Sequence, residues 1–206
     1  MSAPFLTRED REITYKIFAK LFYYPDEEIA GLLFDGVISA LINSLPIHVS
    51  DAETVMDWIK SFSTEEEFLE AIQVEYTNLF ITNFPKLPAP LYKSYYSEKE
   101  LFGKDTERLI EIYQKYNFKV SSEISELPDH LAIQLEFVYR LIEQGTEILA
   151  QKNFVKNEIL GWIDELQSKI NESSSIPIYS FMIKVIIKFI KYDVSIQDAI
   201  LTGAEL

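Results

Sequence analysis

Apolar residues recur along this chain at the three- and four-residue spacing of amphipathic helices, and strand-like alternation is scarce. Ile13, Ile17 and Leu21 form the first stripe, behind a capping box made by Thr7 and Asp10. Hairpin signals are nearly absent, because the chain has one Asp-Gly pair and no Asn-Gly pair. The pattern predicts an all-α protein of about seven to nine helices.

The predicted helices follow one another with short breaks, so we expect a single compact helical domain over residues 1–206. Within it, an N-terminal part of about 1–118 and a C-terminal part of about 127–206 are joined by a polar linker, about 119–126. A helix opened by Pro177 is apolar all round and should be central to the core. The helices are expected at 7–24, 26–43, 51–62, 64–80, 98 or 104 to 116, 128–151, 153–171 and 177–193, with a last turn at 195–201.

Residues 83–96 interrupt this pattern with three prolines and three tyrosines. Proline removes amide donors and fixes an extended backbone, so the segment should be non-helical and cross the surface. Two interpretations stay open. The segment is either a rigid connector whose tyrosines pack on neighbouring helices, or a wall for peptide binding in which rigid rings offer contact area at low entropic cost.

Charge narrows the choice of partner. The chain carries 33 acidic and 19 basic residues, a net charge of −14, and the acid excess runs through both halves. A nucleic-acid backbone or an anionic membrane would repel such a surface, so we expect no nucleic-acid partner and no direct membrane insertion. A basic partner suits it better. The polar start and the lack of a bilayer-length apolar run indicate a cytoplasmic protein.

The residue inventory argues against an enzyme. Zero cysteines exclude disulfides, thiolate metal sites and cysteine nucleophiles, and two histidines are few for a catalytic zinc site. No phosphate-binding glycine loop and no Gly-x-Ser-x-Gly elbow is present. We therefore expect no metal, no cofactor and no catalytic residue.

Two groups of residues remain to be interpreted. Glu126 to His130 place two acids and a histidine at a predicted helix start, where Asp129 would cap the helix. A first helical turn is usually solvent-accessible, so Asp129→Asn and His130→Ala should leave the melting temperature within a few degrees of the parent. A charged histidine is poorly placed at the positive end of a helix, which suggests a role beyond stability. The other group, Tyr76 and Phe80 with Leu79 between them, has the spacing of a core stripe.

Three motifs in this order resemble the TorD/DmsD/NarJ family of chaperones for the assembly of molybdenum-containing oxidoreductases. The resemblance covers roughly residues 9–193. It rests on Glu75-Tyr76-x-x-Leu79-Phe80, Pro88-Ala89-Pro90-x-Tyr92-x-Ser94-x-Tyr96 and Pro128-Asp129-His130-Leu131-x-x-x-Leu135-Glu136-Phe137.

The resemblance implies an all-helical, cofactor-free binding protein with a TorD-like fold that is not an enzyme. Its implied partner is the catalytic subunit of a molybdopterin oxidoreductase, held by an N-terminal leader, often a twin-arginine signal, until the cofactor is inserted. Weak guanine-nucleotide binding and either a monomer or a homodimer are also compatible with the family. The peptide-binding residues that it implies are Tyr76, Leu79, Phe80, Tyr92, Ser94, Tyr96, Glu126, Pro128, Asp129 and His130.

This sequence departs from the family pattern near the implied site. The proline of the Glu126–His130 element is shifted by one place, Leu91 replaces a proline, and Lys93 stands where an acid is common. Gln134 also occupies a position that is acidic in many members. These departures leave open a client whose leader is less basic than a twin-arginine signal. Two other classes of function also stay open: a nucleotide-dependent switch or enzyme using Asp129 and His130 as an acid–base pair, and a plain helical adaptor.

Overall fold

The computed structural model describes residues 6–82, 86–99, 101–120 and 126–203. Within these ranges the chain forms eleven α-helices and no β-strand, which confirms the predicted all-α class. Two π-helical turns, Thr77–Ile81 and Val155–Ile159, directly follow α5 and α9. The helices are α1 Arg8–Leu21, α2 Glu27–Phe34, α3 Val37–Ser44, α4 Ala52–Lys60, α5 Glu65–Tyr76, α6 Lys93–Ser97, α7 Lys104–Lys115, α8 Leu131–Glu143, α9 Ile148–Phe154, α10 Ile163–Ser173 and α11 Pro177–Thr202.

The described chain has more helices than the sequence predicted because glycine divides two of the expected ones. Gly36, at φ +78°, separates α2 from α3, and Gly145, at φ +66°, follows the end of α8. Both adopt the left-handed conformation that glycine enters without steric cost. The short helix α6 lies inside the segment predicted to be non-helical. The prolines there are at or before Pro90, so nothing prevents a turn of helix after them.

Helix starts follow the predicted capping chemistry only in part. The Thr7 hydroxyl accepts from the Asp10 amide at 3.1 Å and the Asp10 carboxylate accepts from the Thr7 amide at 2.9 Å, a complete capping box. At α5 the Thr64 hydroxyl accepts from the Glu67 amide, but the Glu67 carboxylate accepts from Ser63 instead of Thr64. The predicted start of a helix at Pro128 is wrong, because α8 begins at Leu131.

Contacts divide the chain into two compact units, and both are discontinuous in sequence. The first unit comprises residues 1–22, 91–165 and 193–206, and the second comprises 23–90 and 166–192. A single domain over residues 1–206 stays a prediction. Most of the predicted linker at 119–126 lies outside the described residues, as do residues 83–85 of the proline-rich segment.

The core of the first unit contains α1, which packs on α8, and a cluster of aromatic rings around Phe137. Phe137 lies 4.6 Å from Phe154 and 4.7 Å from Tyr113, measured between ring centroids. Burying such rings dominates core energetics, and edge-to-face pairs add to that burial. The side of α8 that carries Phe137 is therefore anchored in the core of the first unit.

The second unit has its own aromatic core. Phe68 of α5 is fully buried and lies within 6 Å of the rings of Phe34, Trp58 and Phe62. Further along the same helix, Tyr76 contacts the ring of Tyr179 in α11. Among the helices of the described chain, none combines the length and the hydropathy that crossing a bilayer requires.

Candidate functional site

The start of α8 is joined to residues 91–94 by a short piece of antiparallel pairing. Tyr92 and His130 form an isolated β-bridge. The Leu131 amide donates to the Leu91 carbonyl at 2.8 Å, and the Lys93 amide donates to the Asp129 carbonyl at 3.1 Å. We call this arrangement the bridge joint. It satisfies the amide of the first residue of α8, which has no partner within its own helix.

Asp129 reinforces the bridge joint from a fully buried position. Its side chain Oδ2 accepts a hydrogen bond from the Ser94 amide at 2.8 Å, near the start of α6. Its main-chain carbonyl also accepts from Gln134 Nε2 at 2.6 Å. Among the described residues, Asp129 Oδ1, Ser94 Oγ and Gln134 Oε1 have no hydrogen-bond partner. Asp129 therefore holds α6, and the expectation that it caps α8 is wrong.

His130 itself caps α8. Its Nδ1 accepts a hydrogen bond from the Ala132 amide at 3.2 Å, so the imidazole acts as an acceptor at a helix start. Burial lowers the pKa of His130 to about 3, because the charged form would lose its hydration. The ring is thus neutral at physiological pH. This removes the conflict between a histidine and the positive end of a helix that the sequence raised.

The predicted solvent accessibility of Asp129 and His130 is wrong. They are 0% and 2% exposed, and the two rest against residues 91–94. The expectation that substitutions here leave the melting temperature nearly unchanged loses its premise, since each side chain fills a buried hydrogen-bonding position. Nδ1 of His130 is occupied by the helix, so the acid–base pair considered from the sequence finds no support in this geometry.

Tyr92 and Glu126 form the accessible edge of the bridge joint. Both side chains are partly exposed, and the Tyr92 hydroxyl donates to Glu126 Oε2. The Tyr92 ring meets the His130 ring edge to face at 5.2 Å. Burial raises the pKa of the Tyr92 hydroxyl, and the Glu126 carboxylate raises it further, so this hydroxyl remains a donor at neutral pH. An aromatic ring and a carboxylate therefore face solvent together.

Pro128 and Tyr96 support the bridge joint from two directions. The Pro128 carbonyl accepts from the Tyr113 hydroxyl at 2.8 Å, which ties the turn before α8 to α7. Tyr96 is buried in α6 and stacks on Trp162, with ring centroids 5.3 Å apart. Pro128 and Tyr96 therefore have structural contacts in addition to any role in binding.

A buried ion-pair network lies next to the bridge joint, and sequence reasoning missed it. Lys93 Nζ lies 2.8 Å from Glu158 Oε2 and 3.3 Å from Asp105 Oδ1. Arg108 adds contacts of 2.7 Å to Glu158 and 2.6 Å to Asp105. The one available signal was Lys93 itself, noted as a departure from the family pattern. Its partners lie in α7 and in a π-helical turn, too far along the chain for any local spacing to indicate them.

Tyr76, Leu79 and Phe80 belong to the second unit and are buried there, as the core interpretation expects. The Phe80 ring packs 4.9 Å from Tyr76 and 5.3 Å from Tyr179, and the Leu79 carbonyl accepts from the Ala89 amide at 3.1 Å. Their implied role in peptide binding stays a prediction.

The predicted site residues thus fall into two groups, one in each unit. The seven residues of the first unit lie in or next to the bridge joint, and the three of the second unit lie at the end of α5 and in the π-helical turn that follows it. In the described part of the chain, no group of three or more His, Asp or Glu side chains is arranged to hold a metal ion. At the bridge joint, the Tyr92 ring and the Glu126 carboxylate are partly exposed to solvent.

The sequence of this chain also matches the model of a known protein family. The model of the family described as "Nitrate reductase delta subunit" matches residues 49–168, more than half of the chain and a range that includes every predicted site residue. The chain therefore belongs to this family, the TorD/DmsD/NarJ family that the three motifs resemble.

Individual relatives agree with this assignment. A "Chaperone protein TorD" from Vibrio cholerae is 25% identical over 210 residues, 95% of each chain. Another from Actinobacillus pleuropneumoniae is 27% identical over 111 residues, 53% of this chain and 56% of the relative, so that match spans little more than half of the relative's length. These relatives are named as chaperones, which confirms at family level the prediction of a non-enzymatic protein.

A solved structure supports the fold over nearly the whole chain. It is a crystal structure from Archaeoglobus fulgidus, described as a proposed redox enzyme maturation protein. It is 27% identical and has a TM-score of 0.64, and the match covers 93% of this chain and 99% of the other. The predicted TorD-like all-α fold is thereby confirmed.

Proposed function

We propose that this chain is a cytoplasmic assembly chaperone for a molybdopterin oxidoreductase. In this proposal it binds the N-terminal leader of the catalytic subunit and holds it until the cofactor is inserted. The observation that carries the proposal is the family match over residues 49–168, together with relatives named as chaperones. The net charge of −14 adds support, because an export leader joins a basic patch to an apolar stretch.

The geometry of the bridge joint suggests different roles for its exposed and its buried residues. Tyr92 and Glu126 are partly exposed, so they can touch a leader directly. Asp129, His130 and Ser94 are buried, and they act by holding residues 91–94 against the start of α8. A rigid aromatic ring beside a carboxylate can bind a basic side chain through charge and through the ring face.

Replacing Glu126 with glutamine should weaken leader binding at least tenfold, about 1.4 kcal/mol, while the melting temperature stays unchanged. Glutamine keeps the shape of the side chain and can still accept from Tyr92, but it removes the charge that would face a basic leader. Calorimetric titration of a synthetic leader peptide, taken from a molybdopterin reductase of the same genome, measures the effect.

Glu107→Gln is the matched control, because Glu107 is an exposed acid of α7 and its loss changes the net charge equally. Equal weakening by both variants would show that overall charge, and not the bridge joint, binds the leader. No binding of any leader to the parent protein would contradict the proposed function itself.

Salt should act mainly on association. If the acidic surface attracts a basic leader from a distance, raising ionic strength from low to physiological values should slow association more than it speeds dissociation. Stopped-flow fluorescence with a labelled leader separates the two rates, and a leader whose basic pair is neutral is the control. If the association rate does not depend on salt, contact with the apolar segment of the leader, and not charge, determines association. The net charge of the protein would then serve solubility.

A further inference from the structure

A groove in the first unit lies apart from the accessible edge of the bridge joint. It has a volume of about 360 Å³ and is bounded by α7, α8, α9 and the π-helical turn Val155–Ile159. Phe137, Leu141 and Phe154 form its buried apolar floor. Leu149 stands at its mouth with 47% of its surface exposed. We call it the α7–α9 groove.

The α7–α9 groove presents no unbalanced charge. Lys115 and Glu147, both exposed, carry opposite charges on its rim. Glu158 also lines it, but Lys93 and Arg108 lie 2.8 Å and 2.7 Å from its carboxylate and neutralise it. On a chain with a net charge of −14, a locally balanced apolar groove is suited to an uncharged apolar occupant and offers nothing to a basic one.

The exposed rim has the chemistry to bind a peptide. Asn153 and Asn157 are exposed and four residues apart, so the two amide side chains stand on one side of the mouth. Each amide offers both a donor and an acceptor, the groups that pair with peptide main chain. Apolar walls with a few polar groups at the edge are the usual make-up of a binding pocket, and the volume lies at the lower end of the usual range.

The π-helical turn connects the α7–α9 groove to the bridge joint. This turn supplies Asn157 and Glu158 to the groove wall, and the same two residues bind Lys93 Nζ, through a carbonyl at 3.3 Å and a carboxylate at 2.8 Å. Lys93 directly follows Tyr92 of the bridge joint. π-Helical turns occur frequently at functional sites, and this one places the groove and the accessible edge in a single hydrogen-bonded framework.

We propose that the α7–α9 groove binds the uncharged apolar segment of the client leader, while the accessible edge at Tyr92 and Glu126 binds its basic part. This inference rests on the proposed function, since it concerns how the same leader is held. Removing apolar side chains from water in the groove sets the residence time, and charge at the edge sets the rate of encounter.

Filling the groove tests the proposal. Ala150 lines it and is partly exposed, so Ala150→Trp places an indole in the groove without disturbing the buried core. We expect leader affinity to fall at least tenfold, mainly through faster dissociation. Ala199→Trp, at a partly exposed position of α11 in the same unit, is the matched control and should bind like the parent.

A second variant keeps the proposal testable if Ala150→Trp does not fold. Leu149→Asn removes the exposed apolar side chain at the mouth, where the fold does not depend on it, and should also speed dissociation. A leader whose apolar residues are replaced by serine should bind Ala150→Trp and the parent equally, because the two changes remove the same contact.

The outcomes separate this inference from the proposed function. If the parent binds the leader and both Ala150→Trp and Leu149→Asn bind it with unchanged rates, the groove is not the apolar subsite, and the chaperone role stands. If the parent binds no leader, the proposed function fails, and the inference fails with it. Equal weakening by Ala150→Trp and Ala199→Trp would also overturn the assignment of the groove.

Discussion

Acidification should destabilise this chain through His130, by about 2–3 kcal/mol between pH 7.5 and pH 4.5. The imidazole titrates near its ordinary value of 6.5 in the unfolded chain, and burial lowers its pKa to about 3 in the fold. Above pH 6.5 both states are neutral and the group has no effect on stability. As the pH falls from about 6.5 to about 3, only the unfolded state takes up the proton, so stability is lost at up to about 1.4 kcal/mol per pH unit.

The comparison with His130→Asn isolates this effect. Asparagine is a good N-cap that does not titrate, so the two proteins should have similar stability slopes except below pH 6.5, where the parent loses more. His48→Asn is the matched control, because His48 is exposed in the second unit. Carboxylates titrate in every variant alike, so they cancel in the difference.

Tryptophan fluorescence can follow the relevant unit alone. The chain has two tryptophans, and Trp162 packs in the first unit against Tyr96 of α6. A Trp58→Phe background leaves Trp162 as the reporter of urea unfolding at each pH. Parallel curves for the parent and His130→Asn down to pH 4.5 would mean that the imidazole becomes charged in the fold, and that the bridge joint opens to admit water.

Local sequence patterns were sufficient to predict most of the helices. The capping box of Thr7 and Asp10 and the proline that opens α11 act within a few residues of the features they determine. Helix ends were predicted less well. Gly36 and Gly145 divide expected helices at positions where apolar periodicity alone continues, and the apolar pattern of α11 carries it on to Thr202, past the expected end near residue 193.

The sequence singled out the residues of the bridge joint, but it did not predict their burial. Asp129 and His130 were expected at an accessible helix start, and the structure buries them against residues 91–94. This burial results from pairing between segments more than thirty residues apart, and no local spacing reports such pairing.

The same reason explains why the ion-pair network went unpredicted. A lysine in a tyrosine-rich segment and a glutamate in a helix are each ordinary surface residues by sequence. Only the fold shows that Lys93 and Glu158 are buried together. The buried ammonium group of Lys93 also offers a reason for the π-helical turn, because this turn brings the Asn157 carbonyl within its reach.

Glu158→Leu should be among the most destabilising single changes in the first unit, at about 3–5 kcal/mol, or roughly 10 °C in melting temperature. Lys93 would keep the Asp105 carboxylate at 3.3 Å but lose its shorter contact, and its charge would stay buried. The double variant Lys93→Met/Glu158→Leu should recover most of the loss, because it removes both buried charges and fills the space with apolar groups. Calorimetric melting of the three proteins measures the effect.

A pair of equal length whose acid is exposed is the control for this experiment. Asp198 lies 2.8 Å from Lys152, the same distance as Lys93 from Glu158, but Asp198 is accessible to solvent. Water and salt screen such a pair, so Asp198→Asn should leave the melting temperature almost unchanged.

If Glu158→Leu were as mild as Asp198→Asn, water would have to reach Lys93, and the network could not hold residues 91–94 in place. A double variant no more stable than Glu158→Leu would instead show that the two charges are worth more together than apolar packing. In that case the lysine that departs from the family pattern would be a stabilising replacement at the base of the bridge joint.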